Sequence, residues 1–254
     1  MSTPSNTIVL ITGAGRGIGR GLLERYLTFP NHTIIAANRN LDHPRTKELP
    51  SLPTAEGTKL ILVKLDASIW QDAFTAVKEL EAQGIDHIDV VIANAGVAYV
   101  WPKVADVTEE QLDGHFKPNA YGVVSLYQAV RPLLQKSARE PVYAVMGTTA
   151  GSLNSQPPLP NAAYGPSKGA GAWYSIRINE EDPWLNSFSL APGWVHTEMG
   201  DLGAVELGVG PELQKTLMIG LDESIDGMTK VLAETSKAKH GGKLVLYSGE
   251  SIPW

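Results

Sequence analysis

The sequence contains no cysteine. Disulfide bonds, thiolate metal sites and a cysteine nucleophile are therefore excluded. An excess of positive charge is also missing, because 21 Lys and Arg stand against 27 Asp and Glu, a net charge of −6. Nucleic acids and anionic membranes need a cationic surface, so neither is expected as a partner. The remaining composition, 43% hydrophobic and 19% charged over 254 residues, is typical of a globular protein.

Long hydrophobic runs are absent near the start of the chain. The first apolar run, Ile8 to Ile11, is too short for a signal peptide or a membrane span. We therefore expect a cytoplasmic protein. The six histidines are scattered without the spacing of metal ligands, so no metal site is expected. The G-x-S-x-G motif of serine hydrolases is missing as well.

Apolar runs of strand length alternate with segments at helical spacing along the whole chain. Runs without clean polar alternation are typical of parallel strands covered on both faces. The alternation predicts an α/β fold with a doubly wound parallel sheet, and no break in composition divides residues 1–254, which indicates one domain. Strands are expected at 7–12, 33–37, 59–65, 88–93, 142–146, 188–191 and 243–247. Helices are expected around 22–27, where Pro30 ends the helix, and at 112–134, 162–179 and 223–235. The segment 40–57 is expected to be a surface connection, and 191–211 a long loop.

A glycine cluster directly follows the first expected strand. Its glycines are Gly13, Gly15, Gly17 and Gly19, and a helical segment comes next. The start of a helix offers free backbone amides at the positive end of the helix dipole, which suits a pyrophosphate. Glycine permits the close backbone approach that such binding needs. The position of the cluster predicts a nucleotide-binding loop, although its spacing, G-x-x-x-G-x-G, differs from the usual G-x-G-x-x-G.

Two arginines bear on the choice of nucleotide. Arg16 lies inside the glycine cluster, and Arg39 comes just after the second strand. An acid at the end of that strand would bind a ribose 2′-hydroxyl, but position 38 is Asn. An arginine there accommodates a 2′-phosphate instead. Either arginine alone is equally compatible with a solvent-facing position, whereas together they favour NADP(H) over NAD(H).

Tyr164 and Lys168 are four residues apart at the start of an expected helix. This spacing lies on one helix face. An ammonium group lowers the pKa of a nearby phenol from about 10, which makes the phenol a usable general acid or base. In isolation such a pair is common on protein surfaces, so the pair gains meaning only from the rest of the chain.

Five motifs follow one another along the chain: Thr12 to Gly19, Asn94-Ala95-Gly96, Asn119, Tyr164 with Lys168, and Pro192-Gly193. On these motifs, the chain from about Thr7 onwards resembles the classical short-chain dehydrogenase/reductase family. This resemblance implies a Rossmann-type sheet of about seven strands in the order 3-2-1-4-5-6-7 and reversible hydride transfer between a nicotinamide and a carbonyl or alcohol. It also implies a homo-oligomer, usually a dimer or tetramer.

The resemblance also implies roles for individual residues. Tyr164 matches the catalytic acid/base, and Lys168 matches the residue that lowers the pKa of the tyrosine and binds the nicotinamide ribose. Asn119 matches the structural and proton-relay asparagine, Asp66 the contact to adenine, and Thr197 the contact near the carboxamide. The full expected cofactor set is Gly13, Gly15, Arg16, Gly17, Ile18, Gly19, Arg39, Asp66, Asn94, Ala95, Gly96, Tyr164, Lys168, Pro192, Gly193, Val195 and Thr197.

One position departs from the family pattern. The family places a serine after the fifth strand to bind the substrate oxygen, and we align Thr148 with it. A threonine keeps the hydroxyl donor and acceptor, while its methyl adds bulk and stiffens χ1. Thr149 and Ser152 are rival candidates if the loop is shifted.

Within the family, the segment Arg16 to Leu22 together with Gly151-Ser152 resembles a branch that contains fungal norsolorinic acid ketoreductases and carbonyl reductases. The branch implies reduction of a ketone on a bulky, often aromatic secondary metabolite. We expect a substrate loop within 192–220 and a cleft wall from 153–160. The expected substrate contacts are Tyr99, Trp101, Thr149, Trp194 and Met199.

The sequence thus predicts an NADPH-dependent ketoreductase with a small-molecule carbonyl or alcohol substrate. Tyr164, Lys168, Asn119 and Thr148 are the expected catalytic residues. A second hypothesis is a reductase scaffold that binds NADP(H) and a metabolite for cyclisation, isomerisation or stereochemical control. The threonine at 148 motivates this hypothesis, and the intact Tyr164, Lys168 and Asn119 count against it. A third hypothesis, a nucleotide-sensing binding protein, needs no tyrosine.

Overall fold

A central sheet with helices on both faces forms the body of the protein. The computed structural model describes residues 6–154 and 156–254. The strands are β1 Thr7–Thr12, β2 His32–Asn38, β3 Lys59–Lys64, β4 Val90–Ala93, β5 Val142–Met146, β6 Asn186–Ala191, β7 Trp194–Val195, β8 Met218–Ile219, β9 Leu244–Leu246 and β10 Ser251–Ile252. The α-helices are α1 Gly17–Leu27, α2 Pro44–Lys47, α3 Trp70–Ala82, α4 Glu109–Phe116, α5 Gly122–Leu134, α6 Tyr164–Glu181, α7 Glu198–Glu206, α8 Pro211–Leu217, α9 Leu221–Glu234 and α10 Lys237–His240.

The main sheet has eight strands in the order β10-β9-β6-β5-β4-β1-β2-β3. The pairings from β3 to β9 are parallel, and β10 pairs antiparallel with β9. The predicted order 3-2-1-4-5-6-7 is therefore confirmed, with β9 in seventh place. The prediction missed β10, because a two-residue edge strand leaves no hydrophobic pattern. The strand order reverses between β1 and β4, and ligands of open α/β sheets bind at such a point, beyond the carboxyl ends of the strands.

Two hydrophobic layers sandwich the sheet. In β1, Ile8 and Leu10 belong to the layer under α3, α5 and α6, while Val9 and Ile11 belong to the layer under α1 and α9. Both faces of the strand are thus apolar. This explains why the strands read as continuous hydrophobic runs without alternation.

The helix expected at 112–134 is interrupted. It begins at Glu109 behind a capping box, in which the Thr108 hydroxyl accepts the Gln111 amide and the Gln111 side chain accepts the Thr108 amide. A π-helical turn, Lys117–Tyr121, then separates α4 from α5. Single π turns in a helix often mark functional sites. This turn carries one of the expected catalytic residues, Asn119.

The expected surface connection and the expected long loop both contain regular structure. The segment 40–57 includes α2 and a short 3-10 helix, Leu49–Ser51. The segment 194–219, called the cap below, contains β7, α7, α8 and β8, and β7 pairs parallel with β8. The segment 40–57 is the surface connection that was expected, between β2 and β3, whereas the expectation of a long loop at 191–211 is wrong. The cap has a small core of its own, formed by Ala204, Val209 and Met218 with Trp194 and Leu207.

Neither a membrane span nor a metal centre is found in the described part of the chain. Across residues 6–154 and 156–254, every helix is too short or too polar to span a bilayer. The same residues contain no group of three or more His, Cys, Asp or Glu side chains that is placed to hold a metal ion.

Candidate active site

The glycine cluster folds into a tight turn between β1 and α1. Gly13 and Gly17 adopt positive φ angles of 68° and 53°, a region that residues with a side chain rarely enter. A side chain at Gly19 would collide with the carbonyl oxygen of Gly13. These three positions therefore need glycine for the turn itself.

The first turn of α1 offers free backbone N–H donors at the crevice, which is the space beyond the carboxyl ends of β1 and β4. Its N-cap, Arg16, has extended backbone and makes no side-chain capping bond, and the first turn carries no acidic residue. Among the described residues, no side chain accepts a hydrogen bond from the backbone amides of this first turn, and the helix dipole adds positive potential there. The turn therefore suits an anion such as a pyrophosphate.

Asn94 and Ala95, at the end of β4, hold the glycine turn in place. The Asn94 amide donates to the carbonyl of Thr12 at 2.8 Å, and the Ala95 backbone N–H donates to the Thr12 hydroxyl at 2.9 Å. A Cβ at Gly13 would lie 3.1 Å from the Cα of Ala95. This close packing fixes the end of β1 beside β4, at the point where the strand order reverses.

Two arginines share one carboxylate beside the glycine turn. The arginine rim is defined here as Arg16, Arg39 and Arg45, of which sequence reasoning missed Arg45. Arg39 is exposed after β2. Arg16 and Arg45 both bind the carboxylate of Glu198, at 2.7 and 2.6 Å. These hydrogen bonds and charges raise the pKa of Arg45 and hold the pKa of Glu198 below its ordinary value.

Asp66, expected near an adenine, lies at the end of β3 and organises the turn into α3. Its carboxylate accepts the backbone amide and the hydroxyl of Ser68 at 2.9 and 2.6 Å. Its own amide donates to Asp72 at 2.8 Å. The turn is therefore ordered by side-chain bonds on the carboxyl side of the sheet.

Tyr164 stands at the first position of α6, beside Thr148 at the end of β5. Burial raises the pKa of the Tyr164 phenol to about 12, and a side-chain hydrogen bond with Thr148 acts in the opposite direction. Thr148 also accepts the Ala150 amide at 3.2 Å, which fixes its rotamer. Of the three rival hydroxyls, Thr148 is the one that contacts Tyr164. Thr149 is exposed at the cavity, and Ser152 is buried.

Glycines allow β5 and α6 to approach closely enough for this contact. A Cβ at Gly151 would lie 2.7 Å from the backbone nitrogen of Gly169, and a Cβ at Gly165 would lie 2.7 Å from the amide of Asn161. The Asn161 side chain accepts the Gly165 amide at 2.9 Å and so fixes the start of α6. The turn after Thr148 therefore rests directly on the backbone of the helix that carries Tyr164.

Lys168 is nearly buried, with 9% of its surface exposed, and its ammonium donates to the carbonyl of Met146 at 2.8 Å. Burial lowers its pKa to about 8. The expected lowering of the Tyr164 pKa by Lys168 is contradicted, because burial dominates the pKa of both groups and shifts each toward its neutral form. Sequence spacing placed the two residues on one helix face but carried no information on burial.

Asn119 is 1% exposed, and its side chain is fully engaged. It accepts the Val97 amide at 2.8 Å and donates to the Val97 carbonyl and the Ser167 hydroxyl, both at 2.9 Å. The π turn thus clamps the chain after β4 and ties it to α6. The four residues expected to be catalytic are called the catalytic floor below: Tyr164, Thr148, Lys168 and Asn119.

Beside the floor lies a cavity of about 270 Å³ with mostly apolar walls. The cap closes one side, where the ring of Trp101 packs over Gly203 of α7. Pro157 and Leu159, from the segment 153–160 that was expected to form a wall, also line the cavity. Position 155 lies outside the described residues. Of the residues expected to act in catalysis or to bind cofactor or substrate, those that line the cavity are Ile18, Trp101, Thr148, Thr149, Tyr164, Pro192, Gly193, Trp194, Val195, Thr197 and Met199.

Several of these residues also have structural contacts. The Trp194 indole donates to the carbonyl of Gly200 at 3.0 Å, so it fastens the cap as well as lining the cavity. Thr197 caps α7 by accepting the Gly200 amide at 3.1 Å, and its methyl lies 3.6 Å from where a Cβ of Gly17 would be. Gly193 has a φ of 85°, and its Cβ would meet Ile219.

Tyr99 lies apart from the described lining of the cavity. Its ring stacks on the buried His115 of α4, with centroids 4.3 Å apart. Its expected role in substrate contact therefore lacks support from this geometry. His196, which lies in the cap, pairs with Asp201 at 2.8 Å.

Comparison with known proteins agrees with this geometry. The model of the family described as short chain dehydrogenase matches residues 7–202. A norsolorinic acid ketoreductase of Dothistroma septosporum is 37% identical over 254 residues, spanning 98% of this chain and 92% of that protein. A norsolorinic acid ketoreductase of Aspergillus parasiticus is 36% identical, spanning 99% and 92%.

The fold is also found in solved structures. An NADPH-bound carbonyl reductase from chicken fatty liver superposes with a TM-score of 0.84 at 26% identity, spanning 99% of this chain and all of that one. The family match covers the glycine turn, Asn119 and the Tyr164–Lys168 pair in a single alignment. This protein therefore belongs to the short-chain dehydrogenase family of oxidoreductases.

Proposed function

We propose that this protein reduces a ketone on a bulky, often aromatic secondary metabolite with NADPH, and that it can catalyse the reverse alcohol oxidation. The observation that carries the proposal is the contact between the Tyr164 and Thr148 hydroxyls at the wall of a largely apolar cavity. A ketone oxygen that reaches this pair accepts a hydrogen bond from each hydroxyl. The carbonyl is thereby polarised and oriented.

Tyr164 donates the proton in this proposal. With a pKa of about 12 the phenol is protonated at neutral pH, which is the form that a general acid needs. A bound nicotinamide supplies the hydride for the carbonyl carbon. After the proton has left Tyr164, the Thr148 hydroxyl turns its single O–H from the substrate oxygen to the phenolate oxygen. Lys168, with its ammonium beside the β5 carbonyl end, offers the nearby positive charge. Asn119 holds the chain at Val97 and helix α6 in fixed positions by its hydrogen bonds to Val97 and Ser167.

NADP(H) is the proposed cofactor, on the basis of donors along the crevice. The free first turn of α1 suits the pyrophosphate, and Arg16 and Arg39 suit the 2′-phosphate. We assign the adenine contact to Asp66 and the nicotinamide ribose contact to Lys168. The further proposed contacts are Gly13, Gly15, Gly17, Ile18, Gly19, Asn94, Ala95, Gly96, Tyr164, Pro192, Gly193, Val195 and Thr197.

An aromatic ketone is the proposed substrate class. The cavity presents the rings of Trp101 and Trp194 and the side chain of Met199, with few polar groups other than hydroxyls. Apolar and aromatic walls with a small number of placed polar groups are typical of small-molecule sites, and indole rings pack well against an aromatic ligand. The names of the two fungal relatives support the same class.

A homo-oligomer in the cytoplasm is the proposed state of the protein. Trp173 on α6 is 58% exposed, so it is not the core residue that its position in a helix would allow. A ring exposed to this extent is compatible with a subunit interface. Sedimentation of the full chain measures whether it forms a dimer or tetramer.

The test is the exchange of Tyr164 for phenylalanine. We expect Tyr164→Phe to lower kcat for reduction of an aromatic ketone by about 10²- to 10⁴-fold, the usual contribution of a positioned general acid. The matched control is Tyr174→Phe on the same helix, which removes a hydroxyl that packs against the core. Steady-state NADPH consumption measures both variants. Unchanged turnover in Tyr164→Phe would refute the proposed function.

A further inference from the structure

Glu198 has an unusual position for an exposed carboxylate. It is the first residue of α7, in the cap, yet it binds Arg16 of the glycine turn and Arg45 of α2. The two contacts measure 2.7 and 2.6 Å, and the three side chains are 55%, 62% and 47% exposed. One carboxylate thus bridges α7, the glycine turn and α2.

The place of this bridge is the proposed 2′-phosphate site. Thr46, next to Arg45, has its hydroxyl 3.5 Å from where a Cβ of Gly15 would lie, and Asn38, at the end of β2, has its side-chain oxygen 3.3 Å from the same point. Arg45 is therefore held against the glycine turn and the end of β2, the strand end at which a nucleotide ribose is bound in this fold. Arg39 comes directly after Asn38 in the chain.

A carboxylate and a phosphate monoester compete for the same guanidinium donors. Both accept paired N–H bonds from arginine, but the phosphate monoester carries nearly two negative charges and three acceptor oxygens. Exposed ion pairs are individually weak, so the two arginines can release Glu198 at little cost. The bridge is therefore strong enough to occupy the arginines and weak enough to be exchanged.

We propose that Glu198 is an internal competitor for the cofactor's 2′-phosphate: its carboxylate holds Arg16 and Arg45 and is exchanged for the phosphate when the nucleotide binds. This inference rests on the proposed use of NADP(H). It makes Arg45 a third contact to the 2′-phosphate beside Arg16 and Arg39. Glu198 then reduces the affinity for 2′-phosphorylated nucleotides and leaves other nucleotides unaffected.

The exchange also has a consequence for the cap. Glu198 ties the start of α7 to the glycine turn, and α7 closes the substrate cavity through Gly203 and Trp101. When the carboxylate is released, α7 keeps the capping bond between Thr197 and the Gly200 amide and loses its ion pairs to Arg16 and Arg45. Binding of the 2′-phosphate thus loosens one anchor of the helix that covers the substrate.

The alternative role for Glu198 predicts an effect of opposite sign. A carboxylate that only holds the arginines in a binding-ready geometry would be needed for affinity, and its removal would weaken binding of the 2′-phosphate. A carboxylate that competes would be an obstacle, and its removal would strengthen binding. The sign of the change therefore separates competition from preorganisation.

The experiment measures nucleotide binding by calorimetry, without turnover. The ligands are adenosine 2′,5′-bisphosphate and adenosine 5′-monophosphate, which differ by the 2′-phosphate. The variants are Glu198→Gln and the matched control Glu24→Gln, whose carboxylate pairs with Arg20 at 2.6 Å with similar exposure. We expect Glu198→Gln to bind the bisphosphate about three- to tenfold more tightly, as for the loss of two exposed ion pairs, with the monophosphate unchanged. We expect no change in Glu24→Gln.

A double variant and an exchange measurement complete the test. In Arg45→Ala the gain from Glu198→Gln should shrink, because one of the two arginines is already absent. In wild type, hydrogen exchange of residues 198–206 should accelerate when the bisphosphate binds, and no such change should follow the monophosphate.

The possible outcomes distinguish two kinds of failure. If wild type prefers the bisphosphate but Glu198→Gln binds it equally or more weakly, the competitor role is wrong and NADP(H) use stands. If wild type shows no preference for the bisphosphate over the monophosphate, the proposed cofactor is wrong, and the inference fails with it.

Discussion

In the catalytic floor, Lys168 and Asn119 are buried and bonded to the backbone, whereas in the arginine rim Arg16 and Arg45 are exposed and bonded to the carboxylate of Glu198. Lys168 donates to the Met146 carbonyl, and Asn119 holds both backbone groups of Val97. Arg16 and Arg45 instead share the carboxylate of Glu198, with about half of each side chain exposed.

The difference follows from two tasks: side chains that transfer a proton must be held in place, whereas side chains that bind a charged ligand must be able to change partners. Proton transfer depends on distances of a few tenths of an ångström, so the floor is built on close backbone packing at Gly151 and Gly169. Binding of a charged group needs donors that can change partners, so the rim is built from exposed ion pairs. Substitutions in the floor should therefore have large effects, and substitutions in the rim should have small, selective ones.

The largest effect on stability is expected from Lys168→Met. The pKa of Lys168 is lowered to about 8 from 10.5, so between these values the unfolded chain binds a proton that the folded chain does not. Stability in wild type should therefore rise with pH across this window, by up to about 3 kcal/mol from this residue. The raised pKa of Tyr164 acts only at higher pH, where it lowers stability.

Urea denaturation of wild type and Lys168→Met from pH 7 to 10 measures this contribution. The difference between the two curves isolates the lysine, since all other groups are common to both proteins. A difference that is independent of pH would mean that the lysine is solvated, and the contrast between floor and rim would then disappear.

A smaller effect, on catalysis, is expected from Thr148→Val. The change keeps the shape of the side chain and removes the hydroxyl that contacts Tyr164. We expect kcat/KM for ketone reduction to fall about 10- to 100-fold, as for the loss of one hydrogen bond to a charged group. Thr149→Val is the matched control, because Thr149 lines the same cavity but is exposed, and its hydroxyl is not the one that acts on the pKa of the phenol. Equal losses in both variants would move the family's serine role away from Thr148.

The smallest effect is expected in the rim, from Arg39→Ala. Arg39 is exposed, so its loss should leave folding and kcat unchanged. We expect KM for NADPH to rise about tenfold or less, with KM for NADH unchanged, because only NADPH carries the 2′-phosphate. Arg177→Ala is the control for the change in net charge, since its partner is Glu181 in the next turn of α6. A matching rise for NADH would show that Arg39 does not discriminate the two cofactors.

Patterns that depend on local chemistry could be predicted from the sequence. The buried strands appear as apolar runs because Ile8 to Ile11 face two hydrophobic layers at once. The glycine turn is evident because Gly13 and Gly17 need positive φ angles. The Tyr164–Lys168 pair follows from helical spacing alone. Each of these features is encoded within a few neighbouring residues.

Features that depend on distant contacts could not be predicted. The π turn at Asn119 arises where one helix must clamp Val97 and meet Ser167 of another. The bridge at Glu198 joins residues more than 150 positions apart. The direction of the Tyr164 pKa shift was wrong because burial, which outweighs the expected effect of Lys168, is a property of the folded chain. The helices of the cap were missed since glycines within 191–211 favoured a loop.

The most direct test of the central claim follows the hydride itself. NADPH carrying deuterium at the transferred position of the nicotinamide is incubated with the protein and an aromatic ketone, and the alcohol is analysed by mass spectrometry. Reduction by this site predicts one deuterium on the carbinol carbon, with product formation that collapses in Tyr164→Phe and persists in Tyr174→Phe. A product formed at full rate without deuterium would contradict ketone reduction and would favour a scaffold that rearranges its ligand without hydride transfer.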